Sequence, residues 1–218
     1  IDSFTAEQLR SILQAPAPVI VCRAEIPING IRYVAGNAMM AGSVTANYLH
    51  SMGHRRIGIL WTEPHNRTMR DLVDGFRTYA RFNGLETELL DCATEYGENA
   101  LDNTRAFLHR YLAEVPVLPF SALFVVSDET AVAALDALET EGIRVPQELS
   151  VVTFDDSWHA RHTIPPLTCC KIAANEMGKE TARLIMAKVA DPEAYKTEMF
   201  RFAGEVIERE STAPPPKA

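Results

Sequence analysis

No apolar stretch in this chain approaches the ~18 residues that a membrane-spanning helix needs. Nothing at Ile1 has the charged, apolar and small-residue order of a signal peptide, so a cytoplasmic setting is expected. Cationic side chains are scarce: 21 Lys and Arg stand against 29 Asp and Glu, for a net charge of −8 over 218 residues. Binding to a phosphate backbone needs concentrated Lys and Arg, so any DNA-binding element is expected outside these residues. The four cysteines, Cys22, Cys92, Cys169 and Cys170, make neither a Cys-x-x-Cys nor a Cys/His zinc spacing. Buried free thiols are expected, with a disulfide as the lesser reading. Metal sites are poorly supported as well: Gly53 breaks the helix between His50 and His54, and His159 and His162 have no third ligand. Also missing are a Gly-rich phosphate loop, an Asp-x-Asp nucleophile motif and a Gly-x-Ser-x-Gly elbow. No cofactor is expected, and the chain is read as a non-enzyme.

Against these absences stands a regular alternation. A short helix is expected over 5–14, a strand over 18–22 and an extended piece at 31–34. Ala41, Val44, Tyr48 and Met52 are spaced as one helical stripe, stopped by Gly53. The strand RIGILW (56–61) leads to a helix carrying Met69, Leu72, Val73, Phe76 and Ala80. A strand over 85–90 precedes a helix with Leu101, Thr104, Leu108 and Tyr111 on one face. The apolar run ALFVVS (122–127) suits a strand covered on both sides. Ala131, Ala134, Leu135 and Leu138 make the inner face of the next helix, which ends at Gly142. LSVVTF (149–154) then runs into Asp155-Asp156, and Pro165-Pro166 stiffens the exit. A helix from about Asn175 to Val189 and short strands near 198–202 and 205–209 follow, with 213–218 as a disordered tail. Four strands alternating with three helices between 56 and 155 make a doubly wound parallel unit. In such α/β sheets ligands collect beyond the carboxyl ends of the strands, where Asp155 lies.

GHRRIGIL (53–60), DGF (74–76), SDETAVAALDAL (127–138), EGIRVPQELSVVTFDD (141–156), IPPLT (164–168), EMGKETARLI (176–185) and VIERES (206–211) come in the order and spacing of the LacI/GalR repressors. The chain therefore resembles the effector-binding and dimerisation region of such a regulator, from about residue 18 onward. The resemblance implies an α/β fold of two doubly wound parallel-sheet lobes of periplasmic-binding-protein type. Residues 1–53 and 168–203 would be a partial N-terminal lobe, and 54–167 with 204–212 a C-terminal lobe. The family's helix-turn-helix headpiece, hinge helix and first N-lobe strands have no counterpart here, so a longer native polypeptide is expected. Partners implied are a small polar effector such as a sugar, operator DNA through the absent headpiece, and a second copy in a homodimer, with no membrane.

The same resemblance assigns candidate ligand residues. Asp155 matches the family's ligand-binding aspartate, able to accept two charge-assisted hydroxyl bonds; the plainer reading is a cap, and Asp156 is expected to cap or face the crossover. Tyr96 falls where the family stacks an aromatic on its ligand, although a surface loop tyrosine fits nearly as well. Trp61 faces the same rim, with core packing favoured. Ser127-Asp128 takes the place of the family's Asn-Asp; Asp128 is expected to cap its helix, and Ser127 to offer a hydroxyl. The family's arginine clamp is Leu72 here, with Arg70 a possible substitute one turn away. Asn37 is kept, but the acid before it is Gly36. Thr153 replaces a usual glycine, and Cys169-Cys170 a usual Thr-Val. The leading function is a ligand-responsive transcriptional regulator. Alternatives are a solute-binding protein of a transport or sensing system, and a Mg²⁺-dependent enzyme using Asp128, Asp155 and Asp156.

Overall fold

The computed structural model describes residues 6–14, 17–22, 32–115, 117–191 and 200–216. In chain order, α1 (Ala6–Leu13), β1 (Ile20–Cys22) and β2 (Arg32–Gly36) come first, then α2 (Ala38–Ser51) and β3 (Arg56–Trp61). α3 (Arg67–Phe82), β4 (Glu86–Asp91), α4 (Ala100–Glu114), β5 (Ala122–Val125) and α5 (Asp128–Thr140) continue the alternation. β6 (Ser150–Phe154), α6 (Trp158–His162), β7 (Thr168–Ile172), α7 (Ala174–Ala190), β8 (Phe200–Phe202) and β9 (Gly204–Ile207) complete it. Expected residues 31 and 198–199 lie outside the described residues. No described helix is long and apolar enough to cross a membrane.

The chain divides into two units, 1–37 with 172–203, and 38–171 with 204–218. In the smaller, β1, β2 and β8 form a parallel sheet in that order. Val34, Met177 and Leu184 are its buried centre. Cys22 is exposed rather than buried, because β1 is an edge strand of this sheet.

The larger unit carries a six-stranded sheet in the order β4-β3-β5-β6-β7-β9. Pairings β3–β4, β3–β5, β5–β6 and β6–β7 are all parallel. Every residue of β5 and β6 is buried, as sheet strands covered on both faces require. The expected inner face of α5 is confirmed by Ala131, Ala134, Leu135 and Leu138, all buried in the main apolar cluster. Behind that helix Gly142 takes φ +76°, and the next N–H, of Ile143, returns to the Leu138 carbonyl at 2.9 Å.

α2 groups with this unit, whereas the sequence boundary at 53 put it in the other lobe. Its buried residues are Ala38, Ala41, Gly42, Thr45, Ala46 and Leu49; of the expected Ala41–Val44–Tyr48–Met52 stripe only Ala41 is buried, the other three being half-buried. The reason lies in close packing on α3. A Cβ at Gly75 would stand 1.8 Å from the Met39 carbonyl oxygen, and one at Gly42 would stand 1.9 Å from that of Leu72. Large side chains cannot enter such a crossing, so small residues line it.

The expected free tail is also corrected over its described part. The Ala213 carbonyl accepts from Ser150 Oγ at 2.9 Å, and the Ala213 N–H donates back to the same oxygen at 3.0 Å. His54, wholly buried, donates from Nε2 to that carbonyl at 3.0 Å, which leaves Nδ1 to accept from Ser121 Oγ at 2.8 Å. Ser211 Oγ donates to the Val151 carbonyl (2.6 Å) and receives the Thr168 N–H (2.8 Å). The segment thus straps the amino ends of β3, β5 and β6, because those polar side chains need partners once buried.

Burial lowers the His54 pKa, and the carbonyl bond of Ala213 only partly opposes this. A depressed folded-state pKa contributes stability above the unfolded value of about 6.5, lost as pH falls below it. The melting midpoint is therefore expected to drop between pH 7.5 and 5, and the drop to shrink in His54→Gln. Parallel pH dependence in the two proteins would show that His54 does not carry the effect.

Candidate functional site

The strand order β4-β3-β5-β6 sets four carboxyl ends in a row along one edge of the larger unit. Trp61 closes β3, Ser127 and Asp128 follow β5, and Asp155 follows β6. The loops after β3 and β4 and the first turns of α4 and α5 line an open-sided cavity of about 250 Å³, which Ser127 borders and Trp61, Asp128 and Asp155 do not. Glu63, Glu98, Asn99, Ser127, Glu129 and Thr130 line it, and no Lys, Arg or His does. That volume lies just below the roughly 300–1,000 Å³ of typical ligand pockets.

Asp155 sits half-buried at φ +71°, its N–H held by the Cys170 carbonyl at 3.0 Å. A left-handed backbone suits Asp better than most residues, and it turns the chain away from the sheet at the strand end. The neighbouring Asp156 has a different task. Arg161 Nη2 reaches its Oδ2 at 2.8 Å, and Arg209 Nη2 binds its Oδ1. Burial pushes its carboxyl up, yet the hydrogen bonds and charges of Arg161 and Arg209 outweigh this and hold it below its ordinary value. Arg209 also donates to the Leu167 carbonyl at 2.6 Å and to Cys169 Sγ at 3.3 Å. Burial raises the thiols of Cys169 and Cys170 to about 11 despite such contacts, so both are inert thiols at neutral pH.

Asp128 does not cap its helix. Ser127 is the N-cap residue, and Asp128, buried as the first helical residue, accepts the Ser157 N–H at 2.9 Å. Its carboxylate thereby ties the β5 and β6 strand ends together instead of closing α5. The Ser127 side chain makes no cap bond, although Ser commonly does at that position. The residue lines the cavity.

Tyr96 is 83% exposed, its ring edge-on to His65 at 5.8 Å. Trp61 is half-buried, and its Nε1 is shielded from solvent with no partner among the described residues. Thr94 Oγ1, on the loop after β4, is in the same condition, with the residue only 2% exposed. Unpaired buried polar atoms are rare and call for a water or a ligand group. Leu72, where the family has its arginine, is fully buried in the core, and Arg70 points out as an exposed residue of α3, outside the cavity lining. Asn37 belongs to the smaller unit, its N–H on the Phe202 carbonyl at 2.8 Å.

The sequence reading missed the polar lining residues Glu63, Glu98, Asn99, Glu129 and Thr130. Their signal was positional: each lies in the loop that follows a strand or at the start of the next helix. Among the described residues no cluster of three His, Cys, Asp or Glu side chains has metal-binding geometry.

A profile of the periplasmic binding protein-like domain matches residues 46–212. Among characterised proteins, the HTH-type transcriptional regulator CelR of Thermobifida fusca is 29% identical over 164 residues, which is 75% of this chain and 47% of CelR. The chain spans about half the length of the curated relatives it matches. A LacI transcriptional regulator from a Rhodococcus species has a similar fold, with a TM-score of 0.83 at 23% identity over 99% of this chain and 76% of that one. A complex of the regulator CelR with cellobiose gives a TM-score of 0.72 at 26% identity, covering 89% and 58% of the two chains.

Proposed function

Because the chain belongs to the LacI/GalR family, as an effector-binding domain of the periplasmic binding protein-like type, we propose that it senses a small molecule for a DNA-binding transcriptional regulator. The observation that carries this is the polar cavity beyond the carboxyl ends of β3 and β5, with Ser127 in its lining, on the sheet edge where Asp155 follows the buried strand β6. A carboxylate at such a strand end accepts hydroxyl hydrogens from a saccharide, and Ser127 adds a hydroxyl from the cavity lining; Trp61 and the aromatic face of Tyr96, both outside that lining, stand at lower rank. The bound disaccharide in the CelR complex supports a saccharide as the effector class. Asp128 and Asp156 serve as scaffold, and Arg70 stands at lower rank in the site.

Operator DNA is engaged through a headpiece outside this chain, and a homodimer matches paired half-sites about one helical turn apart. Effector binding changes operator affinity only through different affinities for two protein states; a typical coupling of about 1–3 kcal/mol gives roughly 5–150-fold. Unpaired thiols at Cys92, Cys169 and Cys170 support a reducing, cytoplasmic setting, and no enzymatic step is assigned.

A thermal-shift screen of sugars, sugar acids, nucleosides and purines, followed by calorimetry, tests the reading. Asp155→Asn keeps shape and tolerates the positive φ, yet removes the charge. It is expected to weaken effector binding about 100-fold, since two charge-assisted bonds are lost, with melting nearly unchanged. An unaltered isotherm would remove Asp155 from the site.

A further inference from the structure

We propose that Arg209 is a positioning residue: by gripping Asp156 it holds the preceding residue, Asp155, in the left-handed turn that carries the chain off the sheet. The role rests on the reading of Asp155 as an effector-binding carboxylate, and adds the group that keeps it in place. At φ +71° Asp155 occupies a region that residues with a Cβ populate sparsely, and such a conformation persists only where its surroundings over-determine it. On its amino side the turn is fixed by its own N–H, on the Cys170 carbonyl at 3.0 Å. Beyond it β6 has ended, and side chains take over.

Three side chains hold residues 156 and 157. Arg161 binds Asp156 through Nε at 3.1 Å and Nη2 at 2.8 Å, but it stands only five residues further along the same segment, with its side chain 56% exposed. It travels with the turn and cannot fix it to the sheet. Asp128 receives the Ser157 N–H at 2.9 Å, two residues past the turn. Arg209 differs from both, because it comes from the chain after β9 and is itself anchored on β7 and the residue before it. Its N–H lies on Thr168 Oγ1 at 2.9 Å, and its Nη1 reaches the Leu167 carbonyl at 2.6 Å and Cys169 Sγ at 3.3 Å. The other arm, Nη2, crosses to Asp156 Oδ1, with 17% and 10% of the two side chains exposed, so salt and water screen this pair far less than a surface one. A forked cation thus ties the loop after β6 to the neighbouring strand, a task that needs two arms in fixed geometry.

Nuclear Overhauser spectroscopy on the whole chain, with no effector present, tests this. The amide and α hydrogens of one residue approach more closely at positive than at negative φ, so Asp155 should give a strong intraresidue cross-peak in the wild type. In Arg209→Met, which keeps an apolar stem and removes the fork, the turn should relax and the cross-peak fall to the strength of those from β6. Arg161→Met should retain it. Should Arg209→Met not fold, Arg209→Lys takes its place: one ammonium cannot serve Leu167 and Asp156 together, and the same loss is expected. A full-strength cross-peak in the folded Arg209 variant, however far its melting point drops, would show that Arg209 only fastens the chain end, and overturns the proposal. Loss of the cross-peak in Arg161→Met overturns it too, because the turn then depends on the whole charge cluster. The effector reading stands or falls separately, on the Asp155→Asn isotherm.

Discussion

Leu138→Asp is expected to unfold the larger unit under conditions where the wild type is fully folded. Leu138 is 1% exposed within the apolar cluster that joins α5 to β5 and β6. No cation lies in that cluster, so the new carboxylate would be buried unpaired, at a cost of roughly 3–5 kcal/mol. That is comparable with the whole stability of many domains. Chemical denaturation monitored by far-UV circular dichroism measures it. An unchanged midpoint would mean that this face of α5 does not face the core.

The second large effect inverts an ordinary rule. Gly→Ala within a helix usually stabilises by about 0.5–1 kcal/mol. At Gly75 the added methyl would meet the Met39 carbonyl at 1.8 Å, and backbone cannot rotate aside as a side chain can. Gly75→Ala should therefore destabilise by more than the usual 1–3 kcal/mol of overpacking, by driving α2 away from α3. Gly178→Ala in α7 supplies the control, because nothing lies within 4 Å of its built Cβ. It should follow the ordinary rule and raise stability slightly. Equal small gains at both positions would contradict the close helix crossing.

These two sites also show which features were legible beforehand. α5 declared itself because Ala131, Ala134, Leu135 and Leu138 repeat at helical spacing and all face one core. α2 misled for a local reason: its contact surface is built of Gly42, Ala41 and Ala46, while its bulky Val44, Tyr48 and Met52 are only partly covered. Hydrophobic periodicity weighs side-chain size, whereas a close crossing selects smallness. α6 escaped altogether, since Trp-His-Ala-Arg-His has no apolar repeat; Ser157, capping it through the His159 N–H, was its only local signal. The place of Asp155, just past the end of β6, was readable from the strand pattern. The jobs of Asp128 and Asp156 were not, because they depend on Ser157 and Arg209, partners that no local spacing reveals. Glu63 and Glu129 became visible only when the strand order placed two separated loops side by side.

The discontinuity of the larger unit has a consequence for how the protein is made. Its sheet ends on β9, and its polar strap reaches Ala213, yet residues 172–203 belong to the other unit. On the ribosome, β3 to β7 emerge well before the strand and backbone groups that complete them. Until Ser211 and Ala213 leave the exit tunnel, His54, Ser150 and Thr168 lack their final hydrogen-bond partners, and the nascent sheet keeps an open edge for chaperones to guard.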